Sequence, residues 1–347
     1  MVEKVPLRKA IAKLNFPTII AFGNPLVDHH VRTRNKDLLE KYNLEVDRET
    51  ELPEEKLQKL MLDLPLESEY GTSAEGSALN SMRILQWLCD ETFQKQYSIY
   101  CGRNDDRASF LRYLVQSAGV DGSLETSIGA GGVYTLEDLK RSQLLFHTIK
   151  IIYIERFFVT HSFPVAEEIV KRAEERDIII AFNLSGTYIF NDHHLAMCKI
   201  IGYANIVFGN AREMEALAQS LNVAYDNVTD IPFLLNSLTN ITVSVSNTLN
   251  ANWVRHGRVF VMSQGESAPA IAVWGKSQSV QVQPIKPTAP VIDTAGAGDG
   301  LVAGFLAGVL AQWSPKHCLE YGCKVASFLV TRHGVVLPEN VPPDLLE

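Results

Sequence analysis

Between Pro17 and Met262, short apolar segments of strand length alternate with segments of helical periodicity. The apolar runs are 17–23, 97–101, 150–154, 178–182, 206–208, 242–246 and 258–262, and the helical stretches among them are 110–118, 165–176, 194–201 and 211–220. A run such as Ile178-Ile-Ile-Ala-Phe182 is apolar on both faces, so as a strand it must be covered on both sides. Strands covered twice and separated by helices pair in parallel through helical crossovers. The pattern is α/β, a central and mostly parallel sheet flanked by helices. The polar stretch from Arg32 to Glu69 carries Leu57, Leu60, Met61 and Leu64 at helical spacing. Short strands near the N-terminus, with the region around Ile128–Tyr134, are expected to form a small accessory sheet. Residues 1–347 read as a single domain with a small β lid, its parts lying within about 17–75 and 120–160.

A hydrophobic share of 46% is enough for a substantial core. A net charge of −8 argues against a general nucleic-acid binder, which needs a basic face to displace counterions from phosphates. The five cysteines form no Cys-x-x-Cys, which suits a reducing compartment and argues against structural zinc. No apolar run is long enough to span a bilayer, and Met1–Phe16 has no signal-peptide core. The expectation is a cytoplasmic protein, with the nucleus also open, and no membrane or nucleic-acid partner.

The segment from Val291 to Leu310 carries the chemistry. A strand-like start passes through small residues into an apolar helix. Gly296, Ala297 and Gly298 can turn their backbone N–H groups toward an oxyanion at the helix N-terminus, where the macrodipole also favours negative charge. Asp299 stands at the same helix start. A carboxylate beside an anion site repels a bound anion, but it has a use if it takes the proton of a hydroxyl attacking phosphorus. A Gly-x-Gly-Asp alone is also what a capped helix after a tight turn requires, with Gly300, Gly304 and Gly308 allowing close helix packing. Upstream, the small-residue tract Gly71–Ser77 opens a second helix through Leu79, Met82, Leu85 and Leu88, with Ser77 expected as its N-cap.

Residues 293–299, Asp-Thr-Ala-Gly-Ala-Gly-Asp, resemble the C-terminal signature of the ribokinase family of sugar and nucleoside kinases. Within it the chain is similar to the adenosine kinases over nearly its whole length. Gly23-Asn-Pro-Leu-Val-Asp28 resembles the segment whose Asn and Asp line the nucleoside site. Gly76-Ser-Ala-Leu-Asn80-Ser resembles one that touches the same ribose, and Phe157-Phe158-Val-Thr one that supplies an aromatic to the base. Phe208-Gly-Asn210-Ala-Arg-Glu213 matches the Asn-x-x-Glu that organises magnesium and phosphates through water. Ser263-Gln264-Gly265 matches the nucleotide-side Thr-Gln-Gly.

The resemblance implies a ribokinase-like fold and transfer of the ATP γ-phosphate to the 5′-hydroxyl of adenosine, forming AMP in purine salvage. Asp299 is the implied base, with Gly296, Ala297 and Gly298 as anion hole. Asn24, Asp28, Gly76, Ser77, Asn80 and Phe158 are the implied substrate contacts, and Asn210, Glu213, Gln264 and Gly265 the ATP and Mg2+ side. No direct protein ligand to the metal is implied, a monovalent cation such as K+ is a further implied cofactor, and the protein is expected as a monomer.

The sequence departs from the family in several places. The twin-glycine hinge beneath the lid is Glu75-Gly76. The first signature, Gly-x-Asp-x-x-Gly, is Asn104-Asp-Asp106-Arg-Ala-Ser109. Ala295 stands where adenosine kinases have Asn. After Val120 there is no counterpart to the lid's Thr-Gly strand pair or to the phosphate-contacting Arg, so the lid should be reduced. Arg156 stands where the family has Gly beside the aromatic pair. Two readings follow: an adenosine kinase with full or weakened activity, or a kinase-derived protein with a binding or structural role and a protein partner.

Overall fold

The computed structural model describes residues 5–12, 14, 18–24, 26–32, 37–44, 54–65, 69–89, 97–101, 124–126, 134–141, 146, 148–186, 193–238 and 258–346. The expected features at 104–109, 110–118, 127–133 and 242–246 lie outside the described residues. The chain divides into two compact units, one of Met1–Pro25 with Gly76–Glu347 and the other of Leu26–Glu75.

The larger unit is built on a nine-stranded sheet of order β11-β10-β9-β8-β7-β6-β1-β4-β5. In chain order the strands are β1 Ile19–Phe22, β4 Tyr97–Cys101, β5 Leu124–Thr126, β6 Ile151–Glu155, β7 Ile179–Asn183, β8 Ile206–Asn210, β9 Val259–Ser263, β10 Ala270–Trp274 and β11 Gln278–Val282. The helices are α1 Leu7–Ile11, α4 Ser77–Cys89, α5 Leu136–Arg141, α6 Arg156–Glu174, α7 His194–Tyr203, α8 Ala211–Ser220, α9 Ile231–Ser237, α10 Ala297–Leu310, α11 Pro315–Leu329 and α12 Pro343–Leu346. Strands β5 through β9 in that order are all paired in parallel. Every residue of β1, β6 and β7 is buried, as double-sided apolar runs require.

Sequence pattern missed the antiparallel end of the sheet, where β10 pairs with β9 and β11 with β10. β11 is an edge strand, mostly solvent-facing, and carries too few apolar residues to mark itself. Residues 291–294, expected as a strand, are not one. The N–H groups of Ile292 and Asp293 point to the carbonyl of Val330 at the end of α11, and the Val291 and Ile292 side chains are half exposed. The helix expected from Val165 begins at Arg156 and is kinked at Ser162, just before Pro164.

The smaller unit pairs β2, Leu26–Arg32, antiparallel to β3, Glu69–Glu75, with Asp28 opposite Ser73. Its helices are α2, Asp37–Tyr42, and α3, Glu54–Asp63, joined where Asp63 accepts hydrogen bonds from Lys41 and Tyr42. Of the 120–160 stretch expected in a lid, the strands at 124–126 and 151–155 belong to the main sheet instead. Glu75, the departure from the twin-glycine hinge, ends β3 in extended backbone, which any residue adopts. The left-handed turn that follows falls on Gly76 alone, with φ +117°.

Candidate active site

Parallel strands of one sheet end on one edge, and the polar residues of this chain gather there. Gly23 and Asn24 follow β1, Glu155 closes β6 opposite Asn183 at the end of β7, and Asn210 closes β8 opposite Ser263 of β9. Into this edge comes the N-terminus of α10.

Gly296 is the N-cap of α10, in left-handed backbone with φ +78°, and no side chain caps the helix. A Cβ at Gly296 would lie 2.4 Å from Cγ2 of Val335, whereas one at Gly298 would meet nothing within 4 Å. The first turn of α10 is therefore pinned on one side and open on the other. Asp293 ties the approach, accepting from the N–H of Ala295 at 2.9 Å and of Gly334 at 2.9 Å. Farther along α10, glycines let α11 close in, since a Cβ at Gly304 would lie 2.8 Å from Gly322 Cα and one at Gly308 2.8 Å from Cys318 Sγ.

Asp299 is held from outside its own helix. Ser77 Oγ donates to Oδ1 at 2.6 Å, and Asn80 Nδ2 donates to Oδ2 at 3.1 Å. Ser77 in turn accepts from Asn183 Nδ2 at 3.1 Å, and the same amide lies 3.1 Å from the Tyr153 hydroxyl. Asn183 donates to Ser77 and Ser77 to Asp299, so each of the two bonds polarises the other toward the carboxylate. Burial, and after it the charge of Asp299, pushes the Tyr153 phenol far up, so it stays protonated. Ser77, expected as a helix cap, thus serves Asp299 instead, and Asn80 does the same. Gly76 accepts the N–H of Asn80 at 2.8 Å and so begins α4. Tyr153, Asn183 and Glu155 were not expected. For Glu155 and Asn183 the signal was the polar residue that ends an apolar run.

Glu155 is fully buried at 1% exposure, and its carboxyl is pushed up to about 7. Burial is the main cause and the nearby Asp299 charge adds to it, while the Asn24 N–H and Arg156 act the other way. Asn24 is buried and donates its backbone N–H to Glu155 Oε2 at 3.3 Å.

One of the remaining expectations takes another place. Phe158, expected at a base, is a core residue at 1% exposure, packed against Phe22 and Tyr134 with ring centroids 5.3 and 6.1 Å away. The partly buried neighbour is Phe157, beneath the Arg156 guanidinium at 4.3 Å. Glu213 is committed to the start of α8: its carboxylate accepts from Asn210 N at 2.8 Å and Gly186 N at 2.6 Å, and Asn210 Oδ1 accepts from Glu213 N at 3.0 Å. That reciprocal capping box leaves α8 closed where α10 is open. Asp28 lies in β2 of the smaller unit.

Gln264, Gly265, Ala297 and Gly298 line one cavity of about 510 Å3. Its farther walls are apolar, among them Val282, Ile285, Leu301 and Val330. Gln264 is fixed by donating Nε2 to the carbonyl of Pro269 at 2.6 Å. Cys323 also borders the cavity, its thiol pushed up to about 12 by burial and so protonated. Among the described residues no three His, Cys, Asp or Glu side chains cluster to hold a metal ion, and no helix is long and apolar enough to cross a membrane.

The pattern that defines the pfkB family carbohydrate kinases matches residues 100–341. The chain belongs to the pfkB family. It is similar to adenosine kinase 2 of Arabidopsis thaliana, 23% identical over 346 residues, with 93% of this chain and 96% of the relative covered. It is 26% identical to the adenosine kinase of Schizophyllum commune over 345 residues, covering 91% and 95%. Among solved structures, Anopheles gambiae adenosine kinase in complex with P1,P4-di(adenosine-5) tetraphosphate superposes with a TM-score of 0.77 at 24% identity, covering 92% of this chain and 97% of that one. Schistosoma mansoni adenosine kinase in complex with 2-fluoroadenosine gives 0.78 at 22%, covering 94% and 99%. The pfkB chain described here therefore has the fold of these kinases: a mostly parallel sheet flanked by helices.

Proposed function

We propose that this pfkB-family chain is an adenosine kinase-type phosphotransferase, moving the γ-phosphate of ATP to the 5′-hydroxyl of adenosine. The observation that carries the reading is Asp299, held by Ser77 and Asn80 beside a helix N-terminus that no side chain caps and that opens at Gly298. Asp299 takes the hydroxyl proton as the oxygen attacks, and the N–H groups of Gly296 and Gly298 receive the charge of the transferring phosphoryl group. Ala297, expected with them, instead donates its N–H to the Thr294 carbonyl at 3.2 Å. The cavity beside them suits ATP, with apolar walls for adenine and Gln264, Gly265 and Gly298 on the phosphate side.

Asn24, Gly76, Ser77 and Asn80 form the acceptor side, and Asp28 is the acid that the family resemblance assigns to the ribose. Magnesium bound with the nucleotide phosphates supplies charge neutralisation. Asn210 and Glu213 fit a role through water better than direct ligation, because their side chains already hold the start of α8. The reaction class is cytoplasmic nucleoside salvage, and K+ in the assay is the condition that tests a monovalent requirement.

One observation favours a binding protein instead. Arg156 is fully buried, and its guanidinium fills the space beside Gly186, where a Cβ would lie 2.7 Å from Nη1. A phosphate-transfer assay with labelled ATP against adenosine, other nucleosides and sugars decides between the readings. Transfer to adenosine, slower than in a full-lid enzyme, is the expected result. Adenosine binding without transfer to any acceptor overturns the catalytic reading.

A further inference from the structure

We infer that Glu155 is a positioning residue of the acceptor site, one that sets the Asn24 amide through the backbone of the turn after β1. The inference rests on the acceptor-side reading above.

That turn leaves β1 at Gly23, and the space there is taken twice: a Cβ at Gly23 would lie 2.3 Å from Ala78 Cβ and 2.9 Å from Glu155 Oε2. The turn is thus wedged between the first turn of α4 and the end of β6. Ala78 is the neighbour of Ser77, which donates to Asp299, so displacement of the turn is felt at the base. Glu155 Oε2 accepts the N–H of Asn24 at 3.3 Å. Beyond this bond the Asn24 side chain is buried. One end of its amide lies 3.0 Å from His161 Nδ1, and the other end has no partner among the described residues. A buried amide end left open beside a wedged turn is a ready contact for a hydroxyl or amino group of the acceptor.

The groups around the Glu155 carboxyl are the Asn24 N–H at the end of β1, Arg156 and the Phe157 N–H on α6, Tyr153 on its own strand and Asp299 on α10. Arg156 is the cation on this side, and Asp299 is the like charge opposite. A neutral acceptor at residue 155 can replace the hydrogen bond to Asn24, whereas a methyl cannot.

The test is calorimetric binding of adenosine, and separately of a non-hydrolysable ATP analogue, to the wild-type chain, Glu155→Gln and Glu155→Ala, with urea melts of each. Glu155→Gln should keep adenosine affinity within about 2-fold, and Glu155→Ala should weaken it about 10-fold, the worth of one buried hydrogen bond. Affinity for the ATP analogue should stay unchanged in both. Wild-type adenosine affinity in Glu155→Ala overturns the inference, as does a parallel loss of adenosine and nucleotide binding, which marks general damage. Should Glu155→Ala fail to fold, Glu155→Gln decides: weakened adenosine binding in a folded Gln variant overturns the inference, because the acceptor atom was kept. A wild-type chain that binds the ATP analogue but no adenosine defeats the acceptor-side reading, and the inference with it.

Discussion

Two acids stand in the first turns of two helices of this chain, and their surroundings could hardly differ more. Glu213 bends back on its own helix, accepting the N–H of Asn210 while Asn210 accepts the N–H of Glu213. Asp299 is held instead by side chains of another helix, Ser77 and Asn80, and the start of its own helix has no side-chain cap. The first arrangement spends both the carboxylate and the helix N-terminus on stability. The second leaves backbone donors open beside a carboxylate, which lowers stability and supports chemistry. An acidic residue near a helix start is thus informative only once its hydrogen-bond partners are known.

The sharpest way to break the comparison is Asp299→Asn. The amide keeps the shape and still meets Asn80 or Ser77, but it cannot take a proton. Phosphate transfer to adenosine should fall about 1000-fold, with the urea midpoint within error of wild type. Equal trace activity in both proteins means that the activity is a contaminant, and the binding-protein reading then leads.

Glu155 is a third acid, buried beside the Asn24 N–H and Arg156, and its signature is pH. Its folded value is raised from 4.5 to about 7, so the native state holds this proton more tightly than the unfolded chain does. The resulting stability is complete below about pH 4.5 and is lost as the pH rises through 7. The loss is on the order of 3 kcal/mol. Glu155→Gln carries no such proton. Urea unfolding of both proteins from pH 4 to 8 should show wild type losing stability against the variant by that amount. Parallel curves would mean that water reaches Glu155 in solution.

Glu213→Ala should show the opposite profile to Asp299→Asn. It removes half the capping box and leaves the N–H groups of Gly186 and Asn210 short of an acceptor, costing about 2 kcal/mol of stability. Turnover by the folded fraction should fall less than about 10-fold, a water-mediated share. A loss like that of Asp299→Asn with no change in the urea midpoint would merge the two acids into one class.

The contrast also explains what could be read in advance. The parallel sheet was legible because Ile151–Ile154 and Ile179–Phe182 are apolar on both faces, a pattern that few other settings tolerate. Gly296–Asp299 was legible because its chemistry lies in consecutive residues. Tyr153, Glu155 and Asn183 were not, since two strands with a helix between them contribute them and only the sheet register puts Glu155 beside Asn183. Phe158 went to the core, where its ring packs against Phe22 and Tyr134, and adjacency to Phe157 gives no hint of which ring faces in. Val291–Thr294 misled because half-exposed apolar residues next to a tight turn read as a strand until their N–H groups are traced to Val330.

The smallest expected effect divides the glycine turn itself. At Gly296 a methyl meets Val335 at 2.4 Å in left-handed backbone, so Gly296→Ala should cost about 2 kcal/mol and blunt activity by loosening the whole turn. At Gly298 a methyl meets nothing, and the position lies within the first turn of α10, where Ala is the better helix former. Gly298→Ala should therefore match or slightly exceed wild type in stability. Its methyl enters the open side of the turn, within the cavity shared with Gln264 and Gly265, and should weaken binding of an ATP analogue by about 10-fold through lost access to the N–H groups. Adenosine affinity in the absence of nucleotide should not move. If Gly298→Ala binds the analogue as wild type does, the open side of α10 is not where the phosphates lie, and the uncapped helix start loses its claim to be the anion site.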